Sequence, residues 1–117
     1  MVLYNLKKID EIAQGDSDFI GDILNTFVEN VTTEVERIQL FKSDENWTAI
    51  AESAHKLASN FAYLGANTLQ VLALDIEKSV FNDNNLFGIA EKANKLCDGS
   101  SFLVSQLQKD FCILNKN

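Results

Sequence analysis

In a chain of 117 residues there is one histidine, His55, and there are two cysteines, Cys97 and Cys112. These are the side chains that act as nucleophiles, proton carriers or soft metal ligands near neutral pH. A zinc site needs several such ligands at fixed spacing, and one histidine without a CxxC pair does not supply them. There is no glycine-rich phosphate loop, no HExxH run and no evident acidic trio for magnesium. On one continuous helix, the fifteen residues from Cys97 to Cys112 span roughly 22 Å, too far for a disulfide within the chain. They read as two small buried thiols. What is left is the chemistry of a single imidazole.

The elements that must position it are helical throughout. The chain lacks proline, its five glycines are scattered, and neither an alternating strand nor a hairpin dipeptide is evident. The pattern predicts a short helix over residues 6–14, stopped by Gly15. Asp16 or Ser17 then caps a long helix reaching residue 42, with Ile20, Ile23, Leu24, Phe27, Val31, Val35, Ile38 and Phe41 along one stripe. Asp44 is expected to cap a third helix over 45–64, whose stripe is Trp47, Ile50, Ala54, Leu57, Phe61 and Leu64. A fourth starts at residue 66 or 67 and carries Leu69, Leu72, Ala73, Ile76 and Val80. After the turn at 82–85, a last helix runs from Leu86 to Leu114, with Ser100 filling a slot in its apolar phase. The expected fold is all-α: an up-and-down antiparallel four-helix bundle with a short N-terminal capping helix, as a single domain over 1–117.

Bulk composition bounds the partners. The net charge of −7 argues against nucleic acid and anionic membranes, both of which need a basic footprint. No apolar run approaches the roughly 20 residues that span a bilayer, and the N-terminus lacks a signal-peptide pattern. A cytoplasmic, monomeric protein is expected.

Placing residues every 100° around the third helix, with Ile50 at zero, puts Ala54, Leu57 and Phe61 within about 40° of the core direction and His55 near 140°. The imidazole is therefore expected at the surface. Around it stand Ala51, Glu52, Ala58, Ser59 and Ala62, nearly all small. Such a clearing suits a nucleophile that enters a partner's active site. By periodicity alone, a lone histidine on a helix is more often an ordinary surface histidine or a satisfied boundary residue.

The segment Ala54-His55-Lys56-Leu57-Ala58-Ser59-Asn60-Phe61-Ala62-Tyr63-Leu64-Gly65-Ala66 resembles the central motif of histidine-containing phosphotransfer (Hpt) domains. It has Ala-His, a leucine two residues on, and Leu-Gly ten residues after the histidine. The long second helix fits as well, with Gly15-Asp16, Phe19-Ile20, Leu24, Phe27 and Asn30 in the family's order. The resemblance implies that His55 accepts a phosphoryl group from a receiver-domain aspartate and passes it to another receiver. It implies that Glu77 orients the imidazole, in the place where the family often has Gln or Glu. If Glu77 accepts the Nδ1 proton, Nε2 is left free as the nucleophile. By position on the helix, Glu77 falls at the seam beside the third helix, though a solvated glutamate would also fit there.

Two positions depart from the family's pattern. Lysine is common three residues after the histidine and glycine four after; here those places hold Ala58 and Ser59. Ala58 cannot hold a phosphoryl group, and Lys56 points about 100° away around the helix. Ser59 is small enough for close docking, and its hydroxyl could donate to a phosphoryl oxygen. The implied partners are response-regulator receiver domains and a hybrid histidine kinase, with no cofactor bound by this chain and Mg²⁺ expected in the receiver. The docking face is expected to comprise Ala51, Glu52, Ala58, Ser59 and Ala62, extended by Ile20, Ile23, Leu24 or Leu74. Two rival readings stay open: an Hpt-like module that binds receivers without relaying phosphate, and a purely structural helical bundle.

Overall fold

The computed structural model describes residues 3–111. Five α-helices follow one another: α1 (Lys7–Ala13), α2 (Ser17–Ser43), α3 (Trp47–Leu64), α4 (Asn67–Phe81) and α5 (Ile89–Phe111). No strand occurs among the described residues. The four long helices pack in a ring, α3 between α2 and α4, and α5 closing the ring against α2 and α4. α1 lies against α2 and α3.

Local chemistry sets the boundaries. Asp16 accepts hydrogen bonds from the backbone N–H groups of Asp18 and Phe19 at 3.1 and 3.2 Å and so starts α2. The expected cap of α3, Asp44, ends α2 instead, its N–H donating to Leu40. α3 is capped two residues later by Asn46, whose side-chain oxygen accepts from the Ala49 N–H at 3.1 Å. The reason is the turn itself: Glu45 adopts φ +52°, which no helix tolerates, so α3 starts beyond it. α5 likewise begins at Ile89 rather than Leu86, after Asn84 and Gly88 with positive φ. The expected continuation of that helix through Leu114, and Cys112 with it, lies outside the described residues. Asp98-Gly99-Ser100-Ser101 is helical without a break. Ser100 is fully buried in its core slot, and a side chain at Gly99 would run into Leu69 of α4.

Gly65 is required twice. It ends α3 with φ +62°, and its Cα faces the backbone of Asn5, so any Cβ would collide there. The Asn5 N–H donates to the Leu64 carbonyl at 2.9 Å, which ties the N-terminal segment across the end of α3.

The core is filled by Leu24, Val31 and Ile38 of α2, Ile50, Leu57, Phe61 and Leu64 of α3, Ile76 of α4, and Leu96, Leu103 and Leu107 of α5. Every residue of the expected α3 stripe is buried apart from the half-buried Trp47. On α2 the stripe is wider than expected: Val28 is buried, as is Glu34, which receives Arg37 at 3.1 Å. Cys97 is buried, and burial pushes its thiol pKa up.

Candidate functional site

Two helices meet at His55. α3 carries it just outside the buried arc, with its side chain 63% exposed, and α4 carries Glu77, 27% exposed, facing it. Nδ1 of His55 stands 3.0 Å from Oε1 and 3.1 Å from Oε2 of Glu77. A carboxylate only accepts, so the proton of this bond sits on Nδ1. In the neutral ring this tautomer leaves the lone pair on Nε2. The two-residue connection through Gly65 and Ala66 folds α4 back along α3 and brings position 77 beside position 55.

The imidazole borders an open depression of about 300 Å³, lined by Glu52, His55, Lys56, Glu77 and Phe81. Glu52, Lys56, Ser59 and Tyr63 are all exposed and follow one another at helical spacing along the outer ridge of α3. Tyr63 stacks on Phe27 of α2, ring centres 5.8 Å apart.

The other expected site residues divide. Glu52 is exposed and lines the depression. Ser59 is exposed, but its hydroxyl donates back to the His55 carbonyl at 3.5 Å, within its own helix. Ala62 is half-buried. Ala51 and Ala58 are 0% and 4% exposed, which withdraws both from the docking face. The physical reason is that α3 sits between two neighbours, so its buried arc spans about 160° rather than a narrow stripe. Small residues on its flank let α4 approach closely instead of leaving a clearing for a partner. Leu24 is core; Ile20 and Ile23 are half-buried against it; Leu74 is exposed.

Sequence reasoning missed Phe81 and set Lys56 aside. The signal for Phe81 was its four-residue step from Glu77 on the same face of α4. Lys56 was discounted by its angle, which ignores the reach of a four-carbon stem.

A family model described as the Hpt domain matches residues 22–108, a span that includes both His55 and Glu77. The chain belongs to the Hpt domain family. It is thus a phosphotransfer module of two-component signalling, a class of domain that interacts with receiver domains and kinases. Comparison with curated proteins and with solved structures finds no match. Among the described residues of this Hpt domain, no helix is long and apolar enough to cross a membrane.

Proposed function

We infer that His55 is the phosphoryl acceptor of this Hpt domain and Glu77 the group that orients it. The observation that carries the reading is the hydrogen bond between His55 Nδ1 and the Glu77 carboxylate, made by an imidazole whose side chain is mostly exposed. A receiver domain presents its aspartyl phosphate and the Mg²⁺ bound at its own site. The Nε2 lone pair forms the new N–P bond in line as the bond from phosphorus to the aspartate oxygen breaks, and the carboxylate leaves with the electron pair. The Nδ1 proton stays on the ring, which becomes cationic, and the Glu77 carboxylate stabilises that charge where it develops. The reverse step delivers the phosphoryl group to a second receiver, so positioning and electrostatics supply the catalysis.

This function needs a rigid stem and an accessible tip. The ring of α2 to α5 supports an up-and-down bundle, α1 set against α2 and α3. The exposed ridge of Glu52, Lys56, Ser59 and Tyr63, with half-buried Ala62, Ile20 and Ile23 beside it, supports the docking of a receiver over His55. A relay between receivers belongs in the cytoplasm.

The test is incubation of the purified chain with a phosphorylated receiver. Acid-labile, alkali-stable label on the wild type and none on His55→Gln is the expected result. Label that persists in His55→Gln, or never reaches the wild type while the receiver binds, refutes the reading. The second of those outcomes would favour a receiver-binding module without relay, for which the buried alanine at position 58 is the motive.

A further inference from the structure

We propose that Lys7 and Lys8 form a second contact point for the receiver, a basic depression at the far end of the α3–α4 seam that takes carboxylate side chains of the docked partner. The premise is the reading of His55 as acceptor, with a receiver seated over it. The depression has a volume of about 260 Å³ and is lined by Asn5, Lys7, Lys8, Ala62, Asn67 and Gln70. Three other depressions on the described surface each include a carboxylate: Asp110 in one, Glu52 and Glu77 beside His55 in another, and Glu52 again in the third. This one includes none, in a chain with 17 acidic residues against 10 lysines and arginines.

Helix packing places the depression on the docking side. Ala62 lies seven residues beyond His55 on α3, and Gln70 lies seven before Glu77 on α4. In the antiparallel pair both steps lead two turns along the same face, about 10 Å from the imidazole along the axis. A receiver burying about 800 Å² of this domain would cover a disc of roughly 16 Å radius, and the depression falls inside it. The first helix is fixed there by buried Leu6, Ile9 and Ala13 and by the bond from the Asn5 N–H to the Leu64 carbonyl, while Lys7 and Lys8 stay exposed.

Among the described residues neither ammonium makes an ion pair, although Glu11 stands four residues after Lys7 and three after Lys8. Two adjacent cations without a counter-ion repel each other and attract a carboxylate brought up to them. An acidic group on the partner therefore gains attraction on docking and fixes its register over His55. The open setting does not enclose a small anion, and the net charge of −7 repels an anionic membrane. An acidic patch on the protein already seated two turns away is the occupant that fits.

The experiment uses the full chain, a phosphorylated receiver, and phosphoramidate, a small donor that phosphorylates the same nitrogen with loss of ammonia and needs no docking. Wild type, Lys7→Gln/Lys8→Gln, Lys7→Arg/Lys8→Arg and His55→Gln are compared. Below saturation, transfer from the receiver to the double glutamine variant should be about fivefold slower, the scale of two exposed ion pairs. The gap should close in 1 M salt, where the Debye length is about 3 Å. The rate at saturating receiver and the phosphoramidate rate should stay at wild type, because about 10 Å is a full Debye length at ordinary ionic strength. The double arginine variant should transfer as wild type does, and far-UV circular dichroism should be unchanged throughout. Adding unphosphorylated receiver should shift the NMR signals of Lys7, Lys8 and Gln70 together with those around His55.

Equal transfer rates in the wild type and the double glutamine variant overturn the docking role of the lysines and leave His55 as acceptor. So does a loss that persists in 1 M salt, or one of the same size with phosphoramidate. Labelling by phosphoramidate but not by the receiver also overturns the docking site alone. Label on His55→Gln, or none on the wild type from either donor, overturns the acceptor reading and the docked geometry with it.

Discussion

Replacing Glu77 with alanine isolates the effect of the orienting carboxylate. Its hydrogen bond to Nδ1 is charge-assisted and of good length, 3.0 and 3.1 Å to its two oxygens. Such a bond contributes about 1.5 to 3 kcal/mol when well shielded. Here the imidazole is 63% and the carboxylate 27% exposed, so water screens the pair, and about 1 kcal/mol is the appropriate scale. As the ring becomes cationic during transfer, the same carboxylate gains attraction, so most of that energy falls on the transition state. Glu77→Ala should therefore slow phosphotransfer from a receiver about fivefold, from the usual 1.4 kcal/mol per tenfold. Glu77→Gln, which retains an acceptor oxygen but not the charge, should slow it about twofold to threefold. The rate is read by quenched-flow transfer from a labelled receiver. The tautomer is read independently from the ¹⁵N shifts of the imidazole in the unphosphorylated protein. Loss of the Nδ1–H preference in Glu77→Ala is the structural counterpart of the rate effect. A Glu77→Ala variant with wild-type rate and wild-type tautomer would refute the reasoning. So would a variant with an altered tautomer and an unchanged rate, since the orientation would then do nothing for transfer.

Other consequences follow from the packing. Ala51→Leu should destabilise the fold by about 1–3 kcal/mol in urea denaturation, because the site is fully enclosed; a neutral result would return Ala51 to the docking face. Gly65→Ala should cost at least about 1–2 kcal/mol, combining left-handed strain with a collision against Asn5, and a change within 0.5 kcal/mol by the same measurement would contradict both causes, about the size of a neutral surface substitution. Tyr4 should titrate late in ultraviolet absorbance. Burial first, then its 2.6 Å hydrogen bond and proximity to Asp110, raises its pKa to about 12. A phenol raised in the folded state stabilises fully below the unfolded value near 10 and loses that contribution as pH rises through about 12. Tyr4→Phe should therefore flatten the alkaline loss of stability in that window, and an unchanged profile would count against the contact.

The helices were legible because their signals are local. The α3 stripe repeats at helical period, Asp16 is a ready cap, and Gly65 stands where a helix must stop. The angle of His55 outside its stripe followed from the same geometry, and the spacing to Gly65 carried the family resemblance. Boundaries set by a backbone turn were less legible: positive φ at Glu45 moved the cap from Asp44 to Asn46, and nothing in glutamate's chemistry announces that conformation.

Sequence by itself determined that this protein is an all-helical chain with one imidazole set outside the core stripe of its helix, since periodicity and residue type are properties of the chain. Only the tertiary structure decided what surrounds that imidazole. The meeting of Nδ1 with Glu77 depends on how α4 lies against α3. The burial of Ala51 and Ala58 depends on α3 having a neighbour on each side, which widens the buried arc beyond any stripe drawn on one helix. The placing of Lys56 on the same depression as His55 depends on the surface that two helices and a flexible stem make together. A helical wheel describes one cylinder, and a site built at the seam of two cylinders is decided by their packing.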